Sequence, residues 1–388
     1  MSHFPSTDGS GGLGHRIRQA VLRLDTRGRI VSLASIGALL VLVLALVSTT
    51  LLTSSPGALK PGHGGGHNHD AQTVTASTIP PPKLDRHLCP LTGERAGHGK
   101  VPQRPAIGIK IGNDPAARPQ SGLLYADIVY EEMAEGGITR YLAVFQCRQA
   151  ALIGPVRSVR WDDWHVLASY NHPILAYSGG ISYWEQLAAG LHWLYNADAT
   201  FYPMANAYFR TSNRYPPENL YTSTARLWAL DPKNHLPPPA QFQYRNKPAA
   251  SSQPARVVTI AGYSEGQNVT WTWDPKAGAW MRSQGGVPDT DANGQQLHAT
   301  NVVIQFVGTQ NEPYYESGTV YGVESITEGT GTAYVLRNGR VEKGTWKTPK
   351  YGDTMELRLT NGDLMALSPG NTWVEEVPVN RYPVQIQK

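Results

Sequence analysis

The stretch IVSLASIGALLVLVLALVSTTLL, residues 30–52, carries no charged side chain. A run of about 20 apolar residues is long enough to cross a bilayer as a helix. Arg16, Arg18, Arg23, Arg27 and Arg29 precede it, against only Asp8 and Asp25. The positive-inside bias then puts residues 1–29 in the cytoplasm and everything after 52 outside. A cleaved signal peptide would have a shorter apolar core and a small-residue cleavage site. An uncleaved, single-pass anchor at 30–52 is therefore expected.

Residues 53–85 are rich in Gly, Pro, Ser, Thr and His. They lack the large apolar side chains a core needs and read as a flexible tether. His63, His67 and His69 fall in this tether, but the glycines between them preset no metal geometry. Net charge is +4 with 16% charged residues, and part of the excess lies at the extreme N-terminus. No basic stripe marks a nucleic-acid partner. Two cysteines, Cys89 and Cys147, are present. Outside the membrane such a pair is most simply a disulfide, with two buried free thiols the alternative.

The rest is expected to be α+β, in two parts. Residues 86–245 mix strands and helices and read as an α/β mixed-sheet domain. Residues 252–388 alternate at period two between turn pairs such as Asn338-Gly339 and Asn361-Gly362. They read as an all-β sandwich or barrel-like domain. In the first part, ADIVYEEMAEGGITRYLAVFQC reads as a hairpin turning at Gly136-Gly137. A two-residue turn there would oppose Met133 to Arg140 and Glu131 to Leu142. Glu131, Glu135 and Arg140 would then share one face. Trp161, Trp164 and Leu167 repeat at helical spacing, with Ser158 or Asp162 as a possible cap.

GPVRSVR, residues 154–160, sets Arg157 and Arg160 at that helix start. The N-terminal end of a helix repels cations, so something anionic should meet them. Internal acids and an anionic ligand both fit, since arginine grips either with a flat, two-pronged donor set. Ser178-Gly179-Gly180, between a strand and a helix, could add bare backbone amides. Glu131 and Glu135 could be an acid/base pair, or simply the partners of Arg140. GERAGHGKV (93–101) fails as a phosphate loop, having Val101 where Ser or Thr is needed. DTDANG (289–294) reads as a turn, since a calcium loop would need Glu at position 300 and has Thr.

PLTG (90–93), RPQSGLLYADIVYEEMAEGGITRYLAVF (118–145), IGPVRSVR (153–160) and NLYTS (219–223) resemble the YerB-like family of bacterial envelope proteins. So do NVVIQF (301–306) and the ending LSPGNTWVEEVP. That family is a domain of unknown function, often lipid-anchored, and it supplies no reaction. The resemblance spans about residues 88–388. It implies a candidate pocket of Asn113, Arg118, Gln120, Asp127, Glu131, Glu135, Arg140, Arg157, Ser158 and Arg160, with Ser178, Gly179, Gly180 and Asn219 beside it. Relatives often carry histidine in a Pro-His-Asn block where this chain has Pro217-Glu218-Asn219. They more often have Asn and Ser where Cys89 and Cys147 stand, which suits a disulfide gained as a pair.

The expected function is binding, through an arginine-rich pocket, of an anionic envelope component: peptidoglycan, an acidic glycan or a wall-synthesis protein. An envelope hydrolase using Glu131 or Glu135 is the rival. Neither a cofactor nor a metal is implied.

Overall fold

IGIKIG, Ile107–Gly112 (β1), is buried along its whole length. A run that is apolar but for Lys110 and buried at every position belongs to a strand covered on both faces. Ile128–Met133 (β2), Thr139–Phe145 (β3), Ile174–Tyr177 (β4) and Tyr195–Asp198 (β5) join it in one mixed sheet. β1 and β2 each pair antiparallel with β3, and β4 runs parallel to both β1 and β5. The computed structural model describes residues 85–231, 236–315 and 321–388. The expected cytoplasmic segment, the expected anchor at 30–52 and almost all of the expected tether lie outside them. Among the described residues no helix is long and apolar enough to cross a membrane.

The helices are short. Trp161–Leu167 (α1) and Ser182–Gly190 (α2) lie on one face of the sheet. Trp164, Leu167, Trp184 and Ala188 pack there against Leu142, Val144, Leu175 and Tyr177. Asp163 caps α1, accepting the Arg160 N–H at 2.6 Å, rather than Ser158 or Asp162.

The second half of the chain does not form a β domain closed on itself. Thr372–Pro378 inserts beside β2, parallel and in register from Thr372↔Ile128 to Glu375↔Glu131. Asn301–Tyr315 pairs with its other edge, followed by Gly329–Arg337, Arg340–Thr348 and Glu356–Leu359. Both halves thus share one twelve-stranded sheet. Val257–Ser264, Gln267–Asp274, Ala279–Gln284 and Val384–Gln387 belong to a smaller, six-stranded antiparallel sheet. It covers the face opposite α1 and α2, where the Trp271 and Trp373 rings meet edge to face at 5.4 Å. The molecule is mainly β, with mixed pairing and a thin helical layer.

The β2–β3 hairpin corrects the expected register by one residue. Met133 opposes Thr139, Glu132 opposes Arg140 and Glu131 opposes Tyr141. The loop is the three residues Glu135–Gly137, closed by Ala134 N–H donating to Ile138 O at 2.9 Å. Gly136 and Gly137 both take positive φ, at 71° and 78°. A slip of one residue sends every side chain to the other face. Glu131 and Arg140 therefore lie on opposite faces of the sheet.

Candidate functional site

GPVRSVR is extended, not helical, and is wedged at the ends of β1 and β4. Arg157 N–H donates to Lys110 O at 2.9 Å, and Ser178 N–H donates to Arg157 O at 2.9 Å. Val159 N–H reaches Gly179 O at 3.0 Å, so the Ser178-Gly179-Gly180 turn does sit against it. A Cβ on Gly180 would come within 2.9 Å of Val159 Cγ1, which explains the small residue there. The Gly179 amide is taken by the chain itself, donating to Asp198 Oδ1 at 3.0 Å.

Internal acids meet the arginines. Arg160 donates from Nε and Nη2 to Glu135 Oε2 at 3.2 and 2.7 Å. Arg140 grips Glu135 Oε1 from the other side. Burial pushes the Glu135 carboxyl up, but the two guanidiniums overcome this and hold it down at about 2. Arg157 pairs with Glu218 Oε1 at 3.1 Å and lies 3.7 Å from Asp114 Oδ2. Glu218 also feels Arg140, so the two arginine groups adjoin. Arg118 donates to Asn113 Oδ1 at 3.0 Å and to Glu265 Oε2 at 2.9 Å. Gln120 donates to Gly112 O at 2.9 Å and to Asn113 Oδ1 at 3.2 Å. Of Ser158, the carbonyl lies 3.5 Å from Arg160 Nη1. Asn219 turns elsewhere, accepting from Arg210 at 2.6 Å. Asp127 accepts the Cys147 N–H at 3.1 Å, below the Cys89–Cys147 disulfide. DTDANG is a turn that clips onto the first half, with Asp291 Oδ2 accepting the Gly122 N–H at 2.9 Å.

Two Glu-Glu pairs, Glu131-Glu132 and Glu375-Glu376, stand side by side at the sheet centre. The register Glu375↔Glu131 places one acid of each pair on each face. Toward the small sheet, Arg282 Nη2 reaches both Glu131 oxygens, at 3.0 and 2.7 Å, and Nη1 grips Asp289. Trp271 Nε1 donates to Glu375 Oε1 at 2.7 Å. Toward the helices, Lys110 contacts Glu132 and lies 2.8 Å from Asp163 Oδ1. Burial opposes the charge on Lys110, but Asp163 and Glu132 outweigh it and raise its pKa. Asp162 and Glu376 add two more buried carboxyls to that side. One ammonium cannot neutralise four carboxylates, and an unpaired buried charge is costly. Burial accordingly raises Glu132 and Asp162, and pushes Glu376 up to about 7.

Glu132, Lys110, Asp163, Glu376 and Arg282 were not among the expected site residues. A paired acid inside each of two otherwise apolar strands, YEEM and VEEV, is the sequence signal that marks the two glutamates.

The chain matches two family models in tandem. They are "Protein of unknown function (DUF3048) N-terminal domain" over residues 91–236 and "Protein of unknown function (DUF3048) C-terminal domain" over 258–374. A curated protein, "Putative lipoprotein YerB" of Bacillus subtilis (strain 168), is 31% identical over 303 residues, covering 74% of this chain and 86% of its own length. The chain belongs to the YerB-like family. The crystal structure of YerB protein from Bacillus subtilis is also similar, with a TM-score of 0.64 at 26% identity. That match covers 77% of this chain and 99% of that one.

Proposed function

We propose that this chain is a membrane-anchored, extracytoplasmic protein of the cell envelope that binds a ligand or partner and does not cleave it. The lipoprotein name of its relative, the arginine-flanked apolar run at 30–52 and the disulfide all support the location. The state of the two candidate acid/base residues carries the binding reading. Glu131 is fully buried under Arg282, and Glu135 is clamped between two arginines with its pKa near 2. A glycosidase needs one carboxyl kept protonated beside its substrate and a second one free. Neither residue meets that need.

The anion-accepting group of the arginine cluster is Arg157. Its side chain is 20% exposed, and its partners Asp114 and Glu218 are 20% and 11% exposed. An incoming carboxylate or phosphate of peptidoglycan, an acidic glycan or a wall-synthesis protein would displace them. Co-sedimentation of the full chain with insoluble cell-wall sacculi tests this. The expected result is pelleting that Arg157→Ala abolishes and Arg157→Lys weakens, because a point charge lacks the two-pronged geometry. Release of soluble wall fragments that Glu135→Gln stops would make the protein a hydrolase. Pelleting unchanged by Arg157→Ala would remove the arginine from the site.

A further inference from the structure

A cavity of about 50 Å³ opens on the helical side of the sheet, and none of the clustered arginines lines it. Tyr130, Gln305 and Glu376 line it from the sheet, His165 from α1, and Glu328 and Gly352 from the later loops. Glu376 is fully buried, and beyond the Ser325 hydroxyl neither carboxylate oxygen has a hydrogen-bond partner. Lys110 is already committed to Glu132 and Asp163. His165 Nδ1 lies 2.9 Å from Glu328 Oε1 at the same cavity. The ring of His165 is flanked by Trp161 at 4.4 Å and by the exposed Tyr351 at 5.1 Å.

We propose that this cavity binds the protonated primary amine of a small organic molecule, with Glu376 as its counter-ion. A buried carboxylate beside surplus acids favours a cation, and the Tyr130, Phe242 and Met355 side chains among the lining residues favour an organic one. A water-sized atom needs about 10–15 Å³ of such space, so the cavity holds an ammonium and two or three carbons. Among the described residues no three His, Cys, Asp or Glu side chains are arranged to hold a metal ion, which separates this site from a metal centre. Glu376 titrates near 7 through its burial, and a cation in the cavity would draw that value down. An amino sugar, a diamino acid and an ethanolamine headgroup all carry this chemistry. The proposal stands on the cavity alone and does not depend on the reading of Arg157.

Ligand-observed NMR on the full chain in detergent, with n-propylammonium and n-propanol as probes, tests it. Saturable binding of n-propylammonium at least tenfold tighter than n-propanol is expected. Glu376→Gln should remove that preference, and it should fold, since it takes away surplus buried charge. Equal binding of the two probes by the unaltered chain would overturn the proposal, as would a preference that survives Glu376→Gln. A crystal soaked in n-propylammonium bromide gives a check independent of any variant. Density beside Glu376 supports the site, and density elsewhere only sinks it. Glucosamine, L-lysine amide and phosphoethanolamine as competitors then identify the source of the amine.

Discussion

Replacing Arg282 with methionine should be among the most damaging single changes in the fold. Its guanidinium is fully buried and reaches from the small sheet to Glu131, on β2 of the large one. It also grips Asp289 and lies over the Tyr141 and Trp373 rings at 5.6 and 5.3 Å. Methionine fills much of the volume but takes from Glu131, Asp289 and Glu375 the cation they share. Breaking a buried ion pair from one side costs about 3–5 kcal/mol, because the stranded charge is not compensated. At about 2–4 °C per kcal/mol for a domain of this order of size, the melting temperature should fall by roughly 6–20 °C. The cost comes from the stranded acid and not from lost packing. Arg282→Met combined with Glu131→Gln should therefore recover part of the loss, a coupling readable in a double-mutant cycle. Differential scanning calorimetry of the four proteins at pH 7 measures it. A melting temperature for Arg282→Met within 2 °C of the parent, or strictly additive losses in the double variant, would refute the reasoning.

Two opposed pH limbs should appear in the same melts. Glu135, held at about 2 against an ordinary 4.5, adds stability that is present above 4.5 and lost as pH falls toward 2, and Glu135→Gln should flatten that acid limb. Glu376, raised to about 7, has the reverse sign: its contribution is complete below 4.5 and is lost as pH rises through 7, so Glu376→Gln should flatten the neutral limb. The Cys89–Cys147 bridge closes a 58-residue separation, and its loss should cost about 4 kcal/mol by chain entropy. Melts of Cys89→Ser/Cys147→Ser read that cost, and mass spectrometry of non-reduced peptides from native membranes should show the linked pair.

Much of the architecture was legible because it depends on local pattern. The apolar runs of β1 and β4, the Trp161–Leu167 helix and the period-two alternation after 252 each report on a few neighbouring residues. The hairpin failed by one residue because two adjacent glycines allow either a two- or a three-residue turn, and alternation alone does not choose. The pairing of Thr372–Pro378 with β2 joins residues far apart in sequence, which no local pattern encodes. The arginine cluster was legible as residues but not as partners. Glu135 was in view for Arg140, whereas the Asp114 and Glu218 that hold Arg157 come from loops. The acidic sheet centre was missed because it appears only when the two Glu-Glu pairs are laid side by side.

That late strand has a consequence for how the protein is made. A chain emerging from N- to C-terminus presents β2 long before Thr372–Pro378 exists to cover its edge. Until then the first half is an open sheet with a row of unsatisfied amides and carbonyls, the kind of edge that recruits other chains. Closure of so distant a contact is slow compared with hairpin formation. The newly synthesised protein thus passes through an interval in which it must be shielded or risk sticking to its own copies. A fragment ending near residue 245 would never leave that interval.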